Sequence, residues 1–283
     1  AVMYGRFAKA INIQDSIQYG YELPAYERWG YGTKIYVGRD KHNVDFILFK
    51  ARDDEKSISN DTVIFALKPK ENLVLGLATK NQLGSTTIQF SYSISAFTSD
   101  TRTPDYEFET YTYVNNLGPF YSPKLTSSIK KVFDAKVNYQ GTFYSLGVSF
   151  KRVDPEYQSL GALYMTNDIQ DVLGNGTLRF LQNKINISGS FGVQKNNLDD
   201  KLLNNSRRVI GNVSFSFAIT QNLNISANYS NFSSSTLPTQ LNFIDSVEYI
   251  QVTTNRAIMV NYSLNNEEIK QNFMFNLNNQ KAN

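Results

Sequence analysis

Strict alternation of apolar and polar residues is the feature that most constrains the fold of this chain. Residues 222–229 read NLNISANY, with apolar side chains at every second position and Asn or Ser between them. A β-strand sends successive side chains to opposite faces, so this segment predicts a strand with one apolar and one polar face. The same alternation recurs along most of the 283 residues, and helical spacing is almost absent.

The alternation predicts thirteen or fourteen strands of about ten residues each, a length that suits strands crossing a membrane at a tilt. The predicted strands and strand cores are residues 3–11, 29–39, 43–51, 62–67, 72–80, 86–97, 133–139, 144–150, 168–181, 184–194, 209–219, 222–229, 247–264 and 267–277. Short turns at 140–141, 220–221 and 265–266 contrast with longer polar loops at 196–206 and 233–245. This asymmetry is typical of outer-membrane barrels. We therefore expect an all-β fold, an antiparallel transmembrane β-barrel of about fourteen strands.

The residues at the polar positions favour a membrane barrel over a soluble β-sandwich or a solenoid. Asn, Ser, Gly and Thr dominate these positions, as at Asn186, Ser214 and Ser216, and charge is sparse. Small neutral side chains fit a crowded, hydrated lumen better than an open surface, and the apolar positions would then face lipid. Most Asn-x-Ser/Thr triplets, such as Asn224–Ser226, follow from the same alternation, so we interpret them as strand faces and not as glycosylation sites.

Seven ionisable residues occupy polar positions of their strands and are predicted to face the lumen: Lys34, Asp45, Asp134, Lys136, Lys151, Arg179 and Arg208. Both signs of charge occur among them. Ion pairs would brace a closed lumen, whereas a barrel of about fourteen strands also leaves room for a water-filled channel. The sequence supports both interpretations.

A long irregular region covers residues 99–128 and contains three prolines and several tyrosines. Loops of this length in compact proteins are usually functional or disordered, so the region is either a plain loop or a plug-like surface that carries a binding face. The predicted loop contacts are tyrosines of this region and of the later loop 153–167: Tyr106, Tyr111, Tyr113, Tyr121, Tyr157 and Tyr164.

Catalytic and cofactor chemistry has little support in the sequence. Cysteine is absent and His42 is the only histidine, which leaves no thiolate site and no histidine cluster. Carboxylate pairs lie in loops or turns, and a net charge of +3 is too small to indicate nucleic-acid binding. We expect no enzyme, no cofactor, no metal and no nucleic-acid partner. A calcium ion at Asp199 and Asp200, beside several asparagines, is the best alternative.

The segment Phe150–Asp168, FKRVDPEYQSLGALYMTND, carries a more specific signal. It resembles a stretch of outer-membrane β-barrel proteins of the Bacteroidota, in which an Arg-Val-Asp-Pro-like turn precedes Tyr-x-Ser-Leu-Gly and then Asn-Asp. Residues 24–26, 43–50, 71–77 and 207–211 look similar to the same group. The resemblance implies a bacterial outer-membrane location more firmly than an activity, and it implies neighbours in secretion, gliding or barrel-assembly machinery.

The ends of the chain and its length add two expectations. The N-terminus, AVMYGRFAKA, alternates like a strand and does not resemble a secretory signal, so either a leader has been removed or residues 1–283 belong to a longer protein. In either case we expect these residues to form a single β-barrel domain. The length also resembles that of the mitochondrial voltage-dependent anion channel, which would imply an amphipathic N-terminal helix inside nineteen strands. The strand-like start does not fit that family.

The expected function is that of a non-enzymatic subunit of an outer-membrane complex. Its partners would be the lipid bilayer and other outer-membrane or periplasmic proteins. The loops at 99–128, 153–167 and 233–245 would make the protein contacts, because long loops carry function more often than the elements they connect. The alternative is a passive, porin-like diffusion channel for small solutes.

Overall fold

A computed structural model describes residues 1–12, 24–58, 67–162, 164–202, 204–238, 249–265 and 270–282. Thirteen strands form one antiparallel sheet whose order follows the sequence. The strands are β1 (Val2–Ala8), β2 (Glu27–Arg39), β3 (His42–Asp54), β4 (Glu71–Leu83), β5 (Thr86–Thr98), β6 (Ser127–Gln140), β7 (Tyr144–Val153), β8 (Ile169–Phe180), β9 (Ile185–Lys195), β10 (Asn204–Ala218), β11 (Leu223–Pro238), β12 (Tyr249–Asn265) and β13 (Lys270–Ala282). A helix α1 (Thr112–Asn115) and a 3₁₀ helix (Gly118–Phe120) lie between β5 and β6.

The predicted all-β, antiparallel architecture is confirmed, with thirteen described strands where about fourteen were expected. The connections alternate in length, as predicted. Turns of two to four residues, at 40–41, 84–85, 141–143, 181–184 and 219–222, alternate with connections that include 99–126 and 154–168. We call the strand ends at the former the turn end and those at the latter the loop end.

Three details depart from the predictions or lie beyond them. Ser233–Pro238 continue β11 instead of beginning a loop, because β10 pairs with the whole stretch and β12 pairs with its residues as far as Thr236. Residues 204–206, predicted as loop, likewise belong to β10. The rest of the predicted loop at 233–245 and nearly all of the strand expected at 62–67 lie outside the described residues. The strand-like start is confirmed by β1, and within the described residues no helix is long and apolar enough to cross a membrane.

The register defines two chemically distinct faces on strands β7 to β13. One row of directly paired residues is wholly apolar: Tyr144, Leu178, Ile187, Phe215, Ala227, Ile258 and Leu277. Another row is polar apart from its first residue: Gly147, Asn175, Ser190, Asn212, Ser230 and Asn255. We call these the apolar face and the polar face. The Asn-x-Ser/Thr triplets from residue 175 to residue 230 all lie in strands, as the alternation predicted.

The chain divides into two compact units. The first comprises residues 1–80, 90–133 and 156–167, and the second comprises residues 81–89, 134–155 and 168–283. Nearly all the buried apolar side chains belong to the first unit. In the described part of the second unit, Val153 is the only buried apolar side chain. The described part of the second unit is thus a sheet without a hydrophobic core of its own.

Candidate functional site

Two loops cover opposite faces of the first unit at the loop end of strands β3 to β5. Residues 156–167 contact Asn72 and Ser95, and we call this side of the strands the polar face of the first unit and these residues the polar-face loop. Residues 99–126, the apolar-face loop, pack on Leu73 and Ala96. Because neighbouring residues in a strand point to opposite sides, these two pairs show that the sheet lies between the two loops.

A buried hydrogen-bond network holds the polar-face loop on β4 and β5. The Asn72 amide Nδ2 donates to the Ser95 hydroxyl at 2.7 Å and to the Ala96 carbonyl at 3.1 Å, while its Oδ1 accepts the Leu160 backbone N–H at 3.1 Å. The Ser95 hydroxyl donates in turn to the Gln158 carbonyl at 2.6 Å. The amide and hydroxyl groups are therefore matched to the loop backbone instead of to water, as buried polar groups require.

Apolar contacts close the same joint. Leu160 packs against a buried cluster of Phe49, Ala51 and Val74. A Cβ at Gly161 would lie only 2.8 Å from the Phe49 ring, so the close approach of the loop requires glycine there. The Tyr157 hydroxyl lies 3.1 Å from the Ser93 hydroxyl, and burial raises the pKa of this phenol. Hydrogen bonds and apolar contacts together therefore hold the loop in one position on the strands.

A charged brace and a cavity lie beside the polar-face loop. The Asp53 carboxylate accepts hydrogen bonds from Arg28 at 2.7 and 3.2 Å and from the Lys70 backbone N–H at 2.9 Å. The cavity, about 430 Å³, is lined by Arg28, Lys70, Tyr157, Gln158, Ser159, Leu160, Ala162, Tyr164, Met165 and Asn167. The loop therefore occupies only part of the space above the polar face of this unit.

Tyr121 anchors the apolar-face loop. Its side chain is 1 % exposed, and its hydroxyl lies 2.7 Å from the Thr98 hydroxyl and 3.0 Å from the Ser127 hydroxyl. Burial raises the pKa of this phenol, and the two hydrogen bonds oppose the shift. Val114 of α1 is buried in the same cluster, so the helix also packs on the sheet.

The predicted contact tyrosines separate into two groups. Tyr106 and Tyr113 are exposed and lie in one aromatic row with the half-buried Phe108 and Tyr111, with successive ring centroids 5.4, 6.4 and 6.2 Å apart. Lys131 extends over the Tyr111 ring at 4.8 Å from its centroid. Tyr164 is 96 % exposed. Tyr121 and Tyr157, in contrast, are buried in the loop joints and do not present a contact surface.

The predicted lumen charges lie on the polar face of their strands. Lys34 forms an ion pair with Asp45 at 3.2 Å, and Lys136 forms one with Asp134 at 3.5 Å. The remaining three have direct partners in the register: Lys151 opposes Asp171, Arg179 opposes Asn186, and Arg208 opposes Gln194. Opposite charges on this face are thus placed to brace it.

The candidate calcium cluster is engaged with the protein itself. Lys201 pairs with the Asp199 carboxylate at 2.9 Å and lowers the pKa of that group. The Asn197 side chain bonds to the Leu202 backbone and to Asn205. The described residues contain no group of three or more acidic, His or Cys residues placed to hold a metal ion.

Comparison with known proteins gives this site no precedent: no protein-family model, curated protein or solved structure matches the chain.

Sequence reasoning missed the loop joints and the Arg28–Asp53 brace. A signal for one joint does exist, because the polar residue Asn72 stands directly before the apolar run LVLGLA. Nothing in the sequence, however, pairs Asn72 with a loop eighty-eight residues further along.

Proposed function

We propose that this chain is an outer-membrane β-barrel and a non-enzymatic subunit of an envelope complex of the secretion, gliding or barrel-assembly type. The observation that carries the proposal is the apolar face of the second unit. Large apolar side chains such as Val148, Phe191 and Val213 are about half exposed there, at 59, 60 and 49 %. Monomeric soluble proteins rarely expose a contiguous apolar surface of this extent, whereas a bilayer covers it.

The proposal requires the sheet to close, because a membrane provides no hydrogen bonds for an unpaired strand edge. Aromatic residues at the turn end support an interfacial girdle: the rings of Tyr139 and Tyr144 lie 5.4 Å apart beside the 141–143 turn.

Labelling of single cysteines tests the membrane assignment, and the absence of native cysteine keeps the background clean. Val148→Cys and Ser149→Cys place a thiol on opposite faces of β7 at the same depth. For protein inserted in vesicles, we expect a membrane-impermeant maleimide to label Ser149→Cys at least tenfold faster than Val148→Cys, because lipid would shield the apolar face. Equal labelling of both thiols in vesicles would refute the barrel.

The loop docked on the polar face of the first unit, together with the ion pairs, supports a subunit over a passive channel. Three hydrogen bonds or hydroxyl contacts and an apolar cluster fix the polar-face loop to the strands, and ion pairs such as Lys34–Asp45 span neighbouring strands. Passive diffusion of solutes does not require these contacts. The aromatic row, in which Tyr106 and Tyr113 are exposed, has the composition of a protein contact, since tyrosine is enriched among the residues that dominate binding energy.

The aromatic row is expected to make the partner contact. A Tyr106→Ser, Tyr113→Ser double variant should lower recovery of the co-purifying partner at least tenfold after mild cross-linking of intact membranes, because two exposed rings are lost. Tyr36→Ser is the control, since Tyr36 is 49 % exposed, as Tyr113 is at 48 %, but lies near the turn at 40–41. A wild-type chain that migrates alone, or a double variant that keeps its partner, would contradict this role.

A further inference from the structure

A row of basic side chains crosses the second unit at the upper edge of its apolar face. Directly paired residues place Arg152 opposite Gln170, Gln170 opposite Lys195, and Lys195 opposite Arg207. We call these four residues the basic row. Two residues closer to the turn end, the same face carries the apolar row Phe150, Val172, Val193 and Val209. The basic row therefore marks the boundary at which the apolar face ends.

The charge of the basic row is poorly balanced. Lys195 and Arg207 are exposed and lie directly opposite each other, where Cβ atoms are about 5 Å apart and like charges destabilise a sheet. Arg152 has a partner, Asp154, at 3.5 Å. Among the ion pairs found in the described part of the chain, none includes Lys195 or Arg207. An anion bound between these two side chains would relieve their repulsion.

An apolar groove runs down the same face below the basic row. Glycines at positions 174, 176 and 189 form its floor, and Leu146, Val172, Phe191, Val193 and Val213 form its walls, with a volume of about 480 Å³. A Cβ at Gly174 would have no neighbour closer than 3.9 Å, so the missing side chain leaves open space. Glycine weakens a strand interior and often marks the close approach of a ligand.

We propose that the basic row and the glycine groove together bind one anionic lipid. The headgroup phosphate lies between Lys195 and Arg207, and an acyl chain lies in the groove. Lys195 and Phe191 are four positions apart along β9. At 3.3 Å per residue this distance is about 13 Å, which is shorter than an acyl chain. Basic residues at a membrane surface attract anionic headgroups in this way. The inference rests on the proposed membrane function and adds a lipid class and a place on the wall.

Lipid retention by the full chain folded in detergent tests the site. The protein is exposed to an equimolar mixture of phosphatidylglycerol and phosphatidylcholine, and the bound lipid is identified by native mass spectrometry. We expect about tenfold preference for phosphatidylglycerol, because that lipid alone supplies a net negative headgroup. Arg207→Gln should reduce retained phosphatidylglycerol about fivefold, the loss expected for one cation near a membrane surface.

Arg208→Gln is the matched control, because it removes the same charge one residue away on the opposite face, and it should leave retention unchanged. Gly174→Leu fills the open space in the groove and should reduce retention of both lipids while the residual preference persists. Equal effects of Arg207→Gln and Arg208→Gln would overturn the site. Displacement of phosphatidylglycerol by millimolar inorganic phosphate would also overturn it and would indicate a site for free phosphate.

The labelling of Val148→Cys and Ser149→Cys separates failure of the lipid site from failure of the proposed function. A tenfold difference between the two thiols without lipid preference overturns the lipid site alone. Equal labelling of the two thiols in vesicles overturns the membrane assignment and the lipid site with it.

Discussion

Replacement of Tyr121 by alanine is expected to destabilise the first unit by about 4 kcal/mol, the usual loss when a large buried aromatic side chain is removed. The ring is 1 % exposed and packs with Leu73, Ala96 and Val114, so its loss leaves a cavity that the rigid strands on one side cannot fill. The hydroxyl contacts to Thr98 and Ser127 are lost as well. Urea unfolding of the detergent-folded protein, combined with limited proteolysis of residues 99–126, measures the effect.

Tyr121→Phe separates the ring from the hydroxyl. The Thr98 and Ser127 hydroxyls remain 2.7 Å apart and keep their mutual contact, so this variant should lose only about 1 kcal/mol. Rapid proteolysis of the apolar-face loop in the alanine variant and slow proteolysis in the phenylalanine variant is the expected pattern. Equal proteolysis of wild type and Tyr121→Ala would show that the loop does not depend on this anchor.

The apolar-face loop also covers an ion pair on its side of the sheet. Beneath it, Lys50 lies on the same side of β3 as Leu48 and pairs with Glu71 at 3.1 Å while donating to the Pro119 carbonyl at 3.2 Å. An ion pair of this kind belongs outside hydrocarbon unless it is covered. The loop therefore covers this ion pair of the first unit.

The strands could be predicted because their signal is local. Alternation at 222–229 needs only the chain itself, and β11 indeed begins at Leu223. The end of β11 could not be predicted in the same way. Ser233, Ser234 and Ser235 have weak local preference, and the long strands on either side decide their conformation by pairing with them. Context of that kind is invisible in a single window of sequence.

The loop joints could be predicted only in part, for a related reason. Tyrosines in long loops suggest contact surfaces, and the row from Tyr106 to Tyr113 is contiguous, with both of its end rings exposed. The same reasoning cannot distinguish the buried Tyr121 from the exposed tyrosines of its loop, because burial depends on the face of the strands on which the loop packs. The basic row was also missed, since Lys195 and Arg207 become neighbours only through the register of β9 and β10.

Asn72→Leu is expected to release the polar-face loop at a cost of about 3 kcal/mol without creating a cavity, because leucine keeps the branched skeleton of asparagine and is the larger residue. The variant removes the acceptor of the Leu160 backbone N–H and the donor to the Ser95 hydroxyl and Ala96 carbonyl. A buried N–H without a partner carries its full desolvation penalty. Amide hydrogen exchange at Leu160 should therefore accelerate at least a hundredfold, and proteolysis should appear within residues 156–167.

Asn278→Leu is the matched control, because Asn278 is an exposed asparagine on the polar face of β13. This substitution should leave both exchange at Leu160 and proteolysis of the loop unchanged. Gly161→Ala provides an independent route to the same release, since the added methyl group would meet the Phe49 ring at 2.8 Å. If the Leu160 amide stays protected from hydrogen exchange in both Asn72→Leu and Gly161→Ala, these contacts do not hold the loop on the sheet. Release in both, with retention in Asn278→Leu, would identify the polar-face loop as a separately docked element on a sheet that remains folded without it.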